Sequence, residues 1–371
     1  MNFEFSEEQQ LLREQAQSFL ADNCSTKKVR EVFESDAPYD QELWRKVVEL
    51  GWTAASIPEK YQGLGLSYLN LCVIAEELGR SLAPIPFSSS VYLATESLIL
   101  YGSEEQRSSF LPRLASGELI GCFASDEIRT DSSLDGLQTN FSNGRVSGEK
   151  IPVADGGIAD FAIVLAKKEN SNCSAFIVNL NSPEVERIPV KSIDPSRDQA
   201  KLVFHDAPAE ELGDQFSGKL ILETVYNRAA ILFAWEQVGG SDTALNMAKA
   251  YAMERFAFGR PIASFQAIKH KLANVYVKNT LARSNCYYGA WAISTNSEEI
   301  STAAAAARLS STQAFYFSSK ENIQTHGGMG FTWEFDCQIP YRRARLLAAN
   351  IGSEAIWQEK LISSIEANRA A

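Results

Sequence analysis

The sequence predicts an α+β fold in which a small antiparallel β domain lies between two helical regions. Three observations carry this prediction: helix-capping patterns in residues 1–120, short apolar runs separated by Gly, Pro and Asp in 121–215, and long segments without proline in 216–371. The chain has 371 residues, which is enough for two or three domains at about 150 residues each. We therefore predict domain boundaries near residues 120 and 215.

The N-terminal region is predicted to be helical because it contains two capping boxes. Residues 6–9 and 103–106 both read Ser-Glu-Glu-Gln. In this pattern the serine hydroxyl accepts a hydrogen bond from the third helical N–H, and the Gln side chain reaches back to the serine N–H. Apolar residues at helical spacing follow both boxes. Between them, Tyr68 to Leu78 is largely apolar, which predicts a buried helix.

The middle region has the pattern of short β-strands. The runs 161–165, 175–178 and 201–204 are rich in Val, Ile, Leu and Phe. The pair Asn143-Gly144 is the two-residue turn that most strongly indicates a β-hairpin. Beyond this region the chain becomes helical again, since 227–253 and 301–323 contain no proline.

Composition and charge exclude several classes of function. Asp and Glu number 46 against 35 Lys and Arg, a net charge of −11, which disfavours general binding of nucleic acids because phosphates require a basic surface. The six cysteines and three histidines are scattered, so neither a metal site nor a disulfide framework is indicated. The acidic first residues lack the pattern of a signal peptide, and no run reaches the ~20 apolar residues of a membrane helix. We therefore expect a cytoplasmic protein.

Two segments carry residues suited to a nucleotide. The first, 255–266, reads Arg-Phe-Ala-Phe-Gly-Arg-Pro-Ile-Ala-Ser-Phe-Gln. We expect a helix to end at Phe258-Gly259, turn at Pro261 and restart, which leaves Arg255 and Gln266 near one helix junction. A guanidinium at that junction could hold a diphosphate through two parallel hydrogen bonds.

The second segment, 324–331, reads Gln-Thr-His-Gly-Gly-Met-Gly-Phe. Its glycines permit close approach of the backbone, and their N–H groups can cradle an anion. Taken singly, each of the two segments is also the ordinary pattern of a helix C-cap and a tight turn.

Together and in this order, the two segments resemble the acyl-CoA dehydrogenase family. The resemblance spans nearly the whole chain. It includes Ile57-Pro58-Glu59 with Gly63 and Gly65, Glu76-Glu77-Leu78-Gly79, Gly117-Glu118, Gly148-Glu149-Lys150 with Asp160, and Pro340-Tyr341-Arg342-Arg343-Ala344-Arg345.

That resemblance implies an N-terminal helical domain, a middle β domain and a C-terminal four-helix bundle, assembled as tetramers that bind FAD. It also implies that an acyl-CoA loses its α-proton to a carboxylate base and its β-hydrogen as hydride to the flavin, with an electron-transfer flavoprotein as acceptor. The ADP portion of FAD would lie against the bundle of the neighbouring subunit. The residues implied in that contact are Arg255, Phe258, Gln266, Gln324, Gly327 and Gly328.

The sequence departs from the family where the base should be. One family position for the glutamate lies just before the Gly that follows the C-terminal Arg-rich stretch, and here it is Ile351. The other, at the start of the first bundle helix, falls on Ala229. Neither side chain can accept a proton. The fallback candidates for a relocated base are Glu236, about two turns after Ala229, and more weakly Glu354.

The flavin-ring side departs as well. The family's Thr-Glu-Pro-x-x-Gly-Ser-Asp loop is replaced by residues 122–131, which contain neither Pro nor Gly. The family's Trp-x-Thr, which covers the flavin, is replaced by Pro152-Val153-Ala154. This pattern resembles the non-catalytic subunit of the heterotetrameric (α2β2) acyl-CoA dehydrogenases of steroid side-chain degradation.

Three hypotheses follow from the sequence. In the first, the chain completes the FAD site of a homologous subunit that carries the catalytic glutamate. In the second, it is a self-sufficient dehydrogenase with a relocated base. In the third, it is a structural relative without redox activity, or a flavoprotein with other chemistry such as oxidation by O2.

Overall fold

The computed structural model describes residues 6–128, 134–168, 172–213 and 217–370. The chain forms two compact units. One, which we call the helical unit, comprises Met1–Ser35, Tyr68–Ala83 and Ala230–Ala371. The other, the sheet unit, comprises Asp36–Ser67 and Pro84–Ala229.

The α-helices and β-strands of the described residues follow the predicted order of helices, strands and helices. The helices are α1 (Glu7–Asn23), α2 (Thr26–Glu34), α3 (Gln41–Glu49), α4 (Tyr68–Arg80), α5 (Glu96–Tyr101), α6 (Glu104–Ala115), α7 (Gly218–Glu254), α8 (Gln266–Ser294), α9 (Ile300–His326), α10 (Gln338–Ala349) and α11 (Glu354–Ala370). The strands are β1 (Gly121–Ala124), β2 (Asn140–Ser142), β3 (Arg145–Ala154), β4 (Phe161–Lys168), β5 (Cys173–Asn179), β6 (Val185–Pro189), β7 (Gln199–Glu211), β8 (Phe256–Ala257) and β9 (Arg260–Pro261). Within these residues no helix combines the length and apolar character that crossing a membrane requires.

Both predicted capping boxes are present. At the start of α1 the Ser6 hydroxyl accepts from the Gln9 N–H at 3.3 Å, and the Gln9 side chain accepts from the Ser6 N–H at 2.9 Å. The same reciprocal pair, Ser103 and Gln106, begins α6. The local sequence therefore fixes where these two helices start.

Helices α4 and α7 pack with their backbones in contact inside the helical unit. A Cβ atom on Gly79 would lie 1.9 Å from the carbonyl oxygen of Glu236, and one on Gly239 would lie 1.9 Å from that of Glu76. Only glycine permits this approach, because any side chain would drive the helices apart.

A buried ionic cluster joins four helices of this unit. The Glu76 carboxylate is 1 % exposed and accepts from Arg13 of α1 at 2.7 Å, Arg80 of α4 at 2.6 Å and Arg283 of α8 at 2.5 Å. Asp242 of α7 accepts from Arg283 at 2.6 Å. Burial alone would raise the pKa of Glu76, but the three guanidinium groups hold it below its usual value.

Among the residues that the structure describes, the main sheet of the sheet unit has seven strands. The Asn143-Gly144 turn joins β2 to β3 as predicted, with φ of 49° and 75°. The prediction of an antiparallel domain holds for the pairs β2–β3, β3–β7, β4–β5, β5–β7 and β6–β7. It is wrong for the pairs β1–β4 and β2–β4, which are parallel, because the intervening chain returns each strand to the same end of the sheet.

Candidate functional site

The first candidate segment forms a tight hairpin rather than a helix that extends to Phe258. Helix α7 ends at Glu254, and the Ile262 N–H donates to the Arg255 carbonyl at 2.8 Å. Phe258 and Gly259 form the turn between β8 and β9 with φ of 52° and 79°. The helix thus ends four residues earlier than the sequence suggested, and Phe258-Gly259 belongs to the hairpin that follows it. Phe258 projects outward with 96 % of its surface exposed.

The polar residues of this segment are exposed. Arg255 lies at the start of the hairpin, and Gln266 is the first residue of α8. The Arg260 guanidinium lies 4.2 Å from the centroid of Phe265, and Phe265 contacts Phe258 edge-to-face. The hairpin therefore presents Arg255 and Gln266 to solvent beside a small aromatic pair.

The second candidate segment follows the end of α9. Gln324 is exposed in the last turn of the helix, and Gly327 breaks it with a φ of 60°. A Cβ atom on Gly327 or Gly328 would meet nothing within 4 Å. Gly327 and Gly328, which we call the glycine edge, therefore border open space. Gly330 does not, because a Cβ there would lie 2.5 Å from the carbonyl oxygen of Ile323. We call Gly327–Phe331, which forms a short 3-10 turn, the glycine loop.

The two segments lie side by side. The Tyr251 ring, one turn before Arg255, stacks on His326 with centroids 4.1 Å apart, and Lys271 of α8 pairs with Glu321 of α9 at 3.0 Å. His326 Nδ1 lies 2.8 Å from the Asn322 carbonyl, and burial lowers the pKa of this histidine. His326 thus serves as neutral packing beneath the glycine loop.

This arrangement can hold a nucleotide diphosphate. One guanidinium (Arg255) and two carboxamides (Gln266 and Gln324) are exposed, and the glycine edge leaves room for phosphate oxygens to reach backbone N–H groups. The residues on the ADP side therefore fit that portion of FAD.

The residue at the first family position for the base is buried. Ile351 is 5 % exposed and has a left-handed φ of 54°. Its carbonyl accepts from the Trp357 indole N–H at 3.0 Å, and Arg308 of α9 donates to the preceding Asn350 carbonyl at 2.7 Å. The turn is thus fixed by side chains that donate to its carbonyl groups, and the Ile351 side chain cannot take up a proton.

The second base position and the fallback candidates are no more suitable. Ala229 is fully buried in α7. Glu236 is 5 % exposed and acts on a buried cation: burial lowers the pKa of Arg308 to about 10, and the charge of Glu236 opposes that shift. Glu354, at the start of α11, accepts from Gln313 at 2.6 Å. We therefore interpret Glu236 as the buried counter-charge of Arg308 within the helical unit.

In the sheet unit, buried polar bonds hold the segment that replaces the family loop. Lys150 is fully buried and donates to Glu127 at 2.8 Å and to the Ser125 carbonyl at 3.1 Å. Glu127 in turn accepts from the N–H and hydroxyl of Thr139 at 3.1 and 2.8 Å. Residues 129–131 of the loop lie outside the described part of the chain. Lys150 thus ties the first arm of the loop to β3, and Glu127 links that arm to Thr139.

The residues around this loop differ from those that the family places against the flavin ring. Pro152 stands in β3 where the family has its covering tryptophan, and proline has no N–H to offer. Gly148 and Gly157 have no room for a side chain. A Cβ on Gly148 would lie within 3 Å of Thr139, and one on Gly157 would lie within 3 Å of Asp198. The backbone at Gly148 and Gly157 is therefore closely packed, in contrast to the open space beside Gly327 and Gly328.

The sequence did not single out Tyr226, which contacts this loop. Its hydroxyl lies 2.6 Å from that of Ser125, and burial raises its pKa. Glu96 and Arg228, another unpredicted pair, bond at 3.2 Å. No local pattern could have found these pairs, because their members lie 101 and 132 residues apart in the sequence. Among the described residues no group of His, Cys, Asp and Glu could hold a metal.

Comparisons with known proteins match the chain almost from end to end. The family models "Acyl-CoA dehydrogenase, N-terminal domain" and "Acyl-CoA dehydrogenase, C-terminal domain" match residues 6–118 and 218–365. The acyl-CoA dehydrogenase IpdE2 of Mycobacterium tuberculosis is 31% identical over 91% of both chains.

Two solved structures share the fold. A chain of the ChsE4–ChsE5 complex from Mycobacterium tuberculosis superposes with a TM-score of 0.90 at 23% identity, covering 99% of both chains. A chain of a variant of the Tcur3481–Tcur3483 steroid ACAD superposes with a TM-score of 0.89 at 24% identity, covering 98% of this chain and 99% of that one.

Proposed function

The chain belongs to the acyl-CoA dehydrogenase family, and we propose that it is the subunit of a heteromeric member that completes the partner's FAD site without supplying a base. Members of the family use FAD. The proposed partner is a homologous chain that carries the catalytic glutamate, in an α2β2 assembly.

The observation that carries this proposal is an asymmetry between the two halves of the expected cofactor site. On the ADP side Arg255, Gln266 and Gln324 are exposed around an open glycine edge. On the reacting side the base position is Ile351, buried in a hydrogen-bonded turn. A chain that serves only the nucleotide end of a neighbour's cofactor needs the first set and not the second.

The missing base decides the chemistry available to this chain. The α-proton of an acyl-CoA is weakly acidic, so its removal requires a positioned carboxylate. FAD, when bound, would accept the β-hydrogen with the electron pair of the Cβ–H bond as hydride, while the α-proton goes to the carboxylate and the Cα–H electron pair forms the new double bond. This chain's contribution would be to hold the diphosphate through Arg255 and the glycine loop, and so to fix the cofactor for the partner's glutamate.

The comparisons support a heteromeric assembly by analogy. The ChsE4–ChsE5 and Tcur3481–Tcur3483 structures are each named for two proteins, and the second is named as a steroid ACAD. We extend from them the proposal that the substrate class is a bulky acyl-CoA such as a steroid side-chain thioester. An electron-transfer flavoprotein is the proposed acceptor.

The test is expression of the chain alone and together with a glutamate-bearing homologue. Alone, the chain should bind FAD poorly and show no acyl-CoA dehydrogenation; together, flavin and activity should appear. In the complex, Arg255→Met should lower FAD retention about tenfold or more, because a charge-assisted contact to phosphate is lost. The matched control is Arg145→Met, an exposed arginine of the sheet unit. Turnover by the isolated chain would refute the proposal.

A relocated base remains the alternative. Its candidate, Glu236, is buried and compensates Arg308, which argues for a structural role. Glu236→Gln in any active preparation distinguishes the two, since an unchanged rate dismisses Glu236 as the base.

A further inference from the structure

The segment that follows the glycine loop is held against α2 by aromatic and cationic side chains. The Trp333 ring lies 5.5 Å from that of Phe33. The guanidinium groups of Arg30 and Arg342 lie 5.0 and 5.8 Å from the centroid of the Trp333 ring. We call these four residues the Trp333 clamp.

Polar bonds fix the backbone and the ring of Trp333 in the same place. Arg30 donates to the Trp333 carbonyl at 2.5 Å and to Asp336 at 2.7 Å. The indole N–H donates to Glu34, the last residue of α2. Arg30 therefore acts on the ring through its π face and on the backbone through a charge-assisted hydrogen bond.

The loop between the open glycines and the clamp is packed onto α9. Gly330 lies so close to Ile323 that only a hydrogen fits in place of a side chain. The Cys337 thiol lies 3.8 Å from the Gly330 carbonyl, and the Asn322 side chain donates to the Cys337 carbonyl at 3.4 Å. The chain is thus held after the glycine edge as firmly as before it, where His326 stacks on Tyr251.

We infer that the Trp333 clamp is a positioning device for the nucleotide, which orders the glycine loop before FAD arrives. This inference rests on the proposed function of the loop. A loop that is already ordered loses less conformational entropy on binding, so the same contacts give tighter binding. In this account α2, close to the N-terminus of the chain, contributes to FAD affinity through Arg30 and Phe33. These are positioning residues and touch neither substrate nor reacting atoms.

The test compares three variants in the full-length chain. Trp333→Leu removes the ring, Arg30→Gln removes one cation and its hydrogen bonds, and Trp333→Phe keeps an aromatic ring between the same neighbours. Matched controls are Trp291→Leu, which removes an aromatic stacked on Tyr288 in α8, and Arg45→Gln, which removes an exposed ion pair in α3.

The first readout is hydrogen exchange of the amides of residues 327–331 in the isolated chain. We expect about fivefold faster exchange in Trp333→Leu and Arg30→Gln, with exchange close to wild type in Trp333→Phe and both controls. The second readout is the rate of FAD release from the complex with a glutamate-bearing homologue, which should rise by a similar factor in the first two variants only.

The experiment distinguishes failure of the clamp, failure of its link to the nucleotide and failure of the proposed function. Wild-type exchange in both Trp333→Leu and Arg30→Gln would overturn the inference, and Arg30→Gln decides alone if Trp333→Leu does not fold. Faster exchange with unchanged FAD release would overturn the link to the nucleotide. If FAD does not slow exchange of the wild-type loop in the complex, the proposed function fails, whereas exchange in the isolated variants still measures the clamp.

Discussion

Tyr251 lies on His326 with ring centroids 4.1 Å apart and an angle of 26° between the rings. Tyr251 belongs to the last turns of α7 and His326 ends α9. The contact therefore brings together two segments that are about 70 residues apart in the sequence and that carry the candidate nucleotide contacts.

Replacement of Gly328 tests the open edge of the loop. A Cβ at this position meets nothing within 4 Å, so Gly328→Ala should leave the unfolding temperature of the chain within about 1 °C, as expected of a surface change within ±0.5 kcal/mol. In the complex the methyl group would occupy space where phosphate approaches the backbone, and FAD retention should fall several-fold. Retention equal to wild type would place the nucleotide elsewhere.

Replacement of Gly79 tests the contact between α4 and α7. A Cβ there would lie 1.9 Å from the Glu236 carbonyl oxygen, so Gly79→Ala should lower the free energy of unfolding by about 1–3 kcal/mol or more through overpacking. Urea unfolding of the isolated chain measures the change. The matched control is Gly328→Ala, which adds the same methyl group in open space.

The pH dependence of stability is expected to include a contribution from His326. Burial lowers its pKa in the folded chain, so the unfolded chain binds a proton more readily, and stability falls as the pH drops through the unfolded value of about 6.5. Unfolding temperatures of wild type and His326→Gln between pH 8 and 5.5 measure this. The wild type should lose more stability than the variant as the pH falls, and parallel curves would contradict the assignment of a neutral, buried imidazole.

The ionic cluster around Glu76 is expected to stabilise the fold through a buried carboxylate that stays charged. Glu76→Gln would leave Arg13, Arg80 and Arg283 without their shared buried carboxylate and should cost about 3–5 kcal/mol. Because the pKa of Glu76 is held below its usual value, this stabilisation is present above about pH 4.5 and is lost as the pH falls through the folded value. Glu49→Gln, which breaks an exposed pair with Arg45, is the control and should cost less than about 1 kcal/mol.

The asymmetry of the cofactor site predicts that the ring side of this chain can be disturbed without loss of flavin. Lys150→Met leaves Glu127 without its buried partner and should lower the free energy of unfolding by about 3–5 kcal/mol. The folded complex should nevertheless keep its wild-type content of FAD. Loss of flavin in folded Lys150→Met complexes, at a level comparable with Arg255→Met, would show that this chain's own β domain holds a ring.

Much of the fold could be predicted from local chemistry. The serine boxes at residues 6 and 103 and the Asn143-Gly144 turn lie where the sequence indicated, because caps and tight turns depend on neighbouring residues. The parallel pairing of β4 with β1 and β2 was missed, since pairing direction depends on how distant segments return to the sheet. The early end of α7 at Glu254 was missed because the β8–β9 hairpin that follows it requires a left-handed Phe258, a conformation that non-glycine residues rarely take.

The candidate site could likewise be predicted only in part. Residues 255–266 and 324–331 were recognisable as motifs, and the stacking of Tyr251 on His326 that joins them was not, because no periodicity links α7 to α9. Ile351 could be named from its place before Gly352, but its closure by Trp357 and Arg308 depends on tertiary packing. Of the Trp333 clamp only Arg342 lies in a motif recognisable from the sequence, and its contact with Trp333 depends on tertiary packing.

The ratio of FAD to polypeptide in the assembly purified with a glutamate-bearing homologue tests the central claim most directly. If this chain contacts only the ADP portion of a cofactor whose ring is bound by the partner, the complex contains one FAD for every two chains. The chain alone then contains almost none. One FAD per chain in both preparations, with dehydrogenation by the chain alone, would contradict the account.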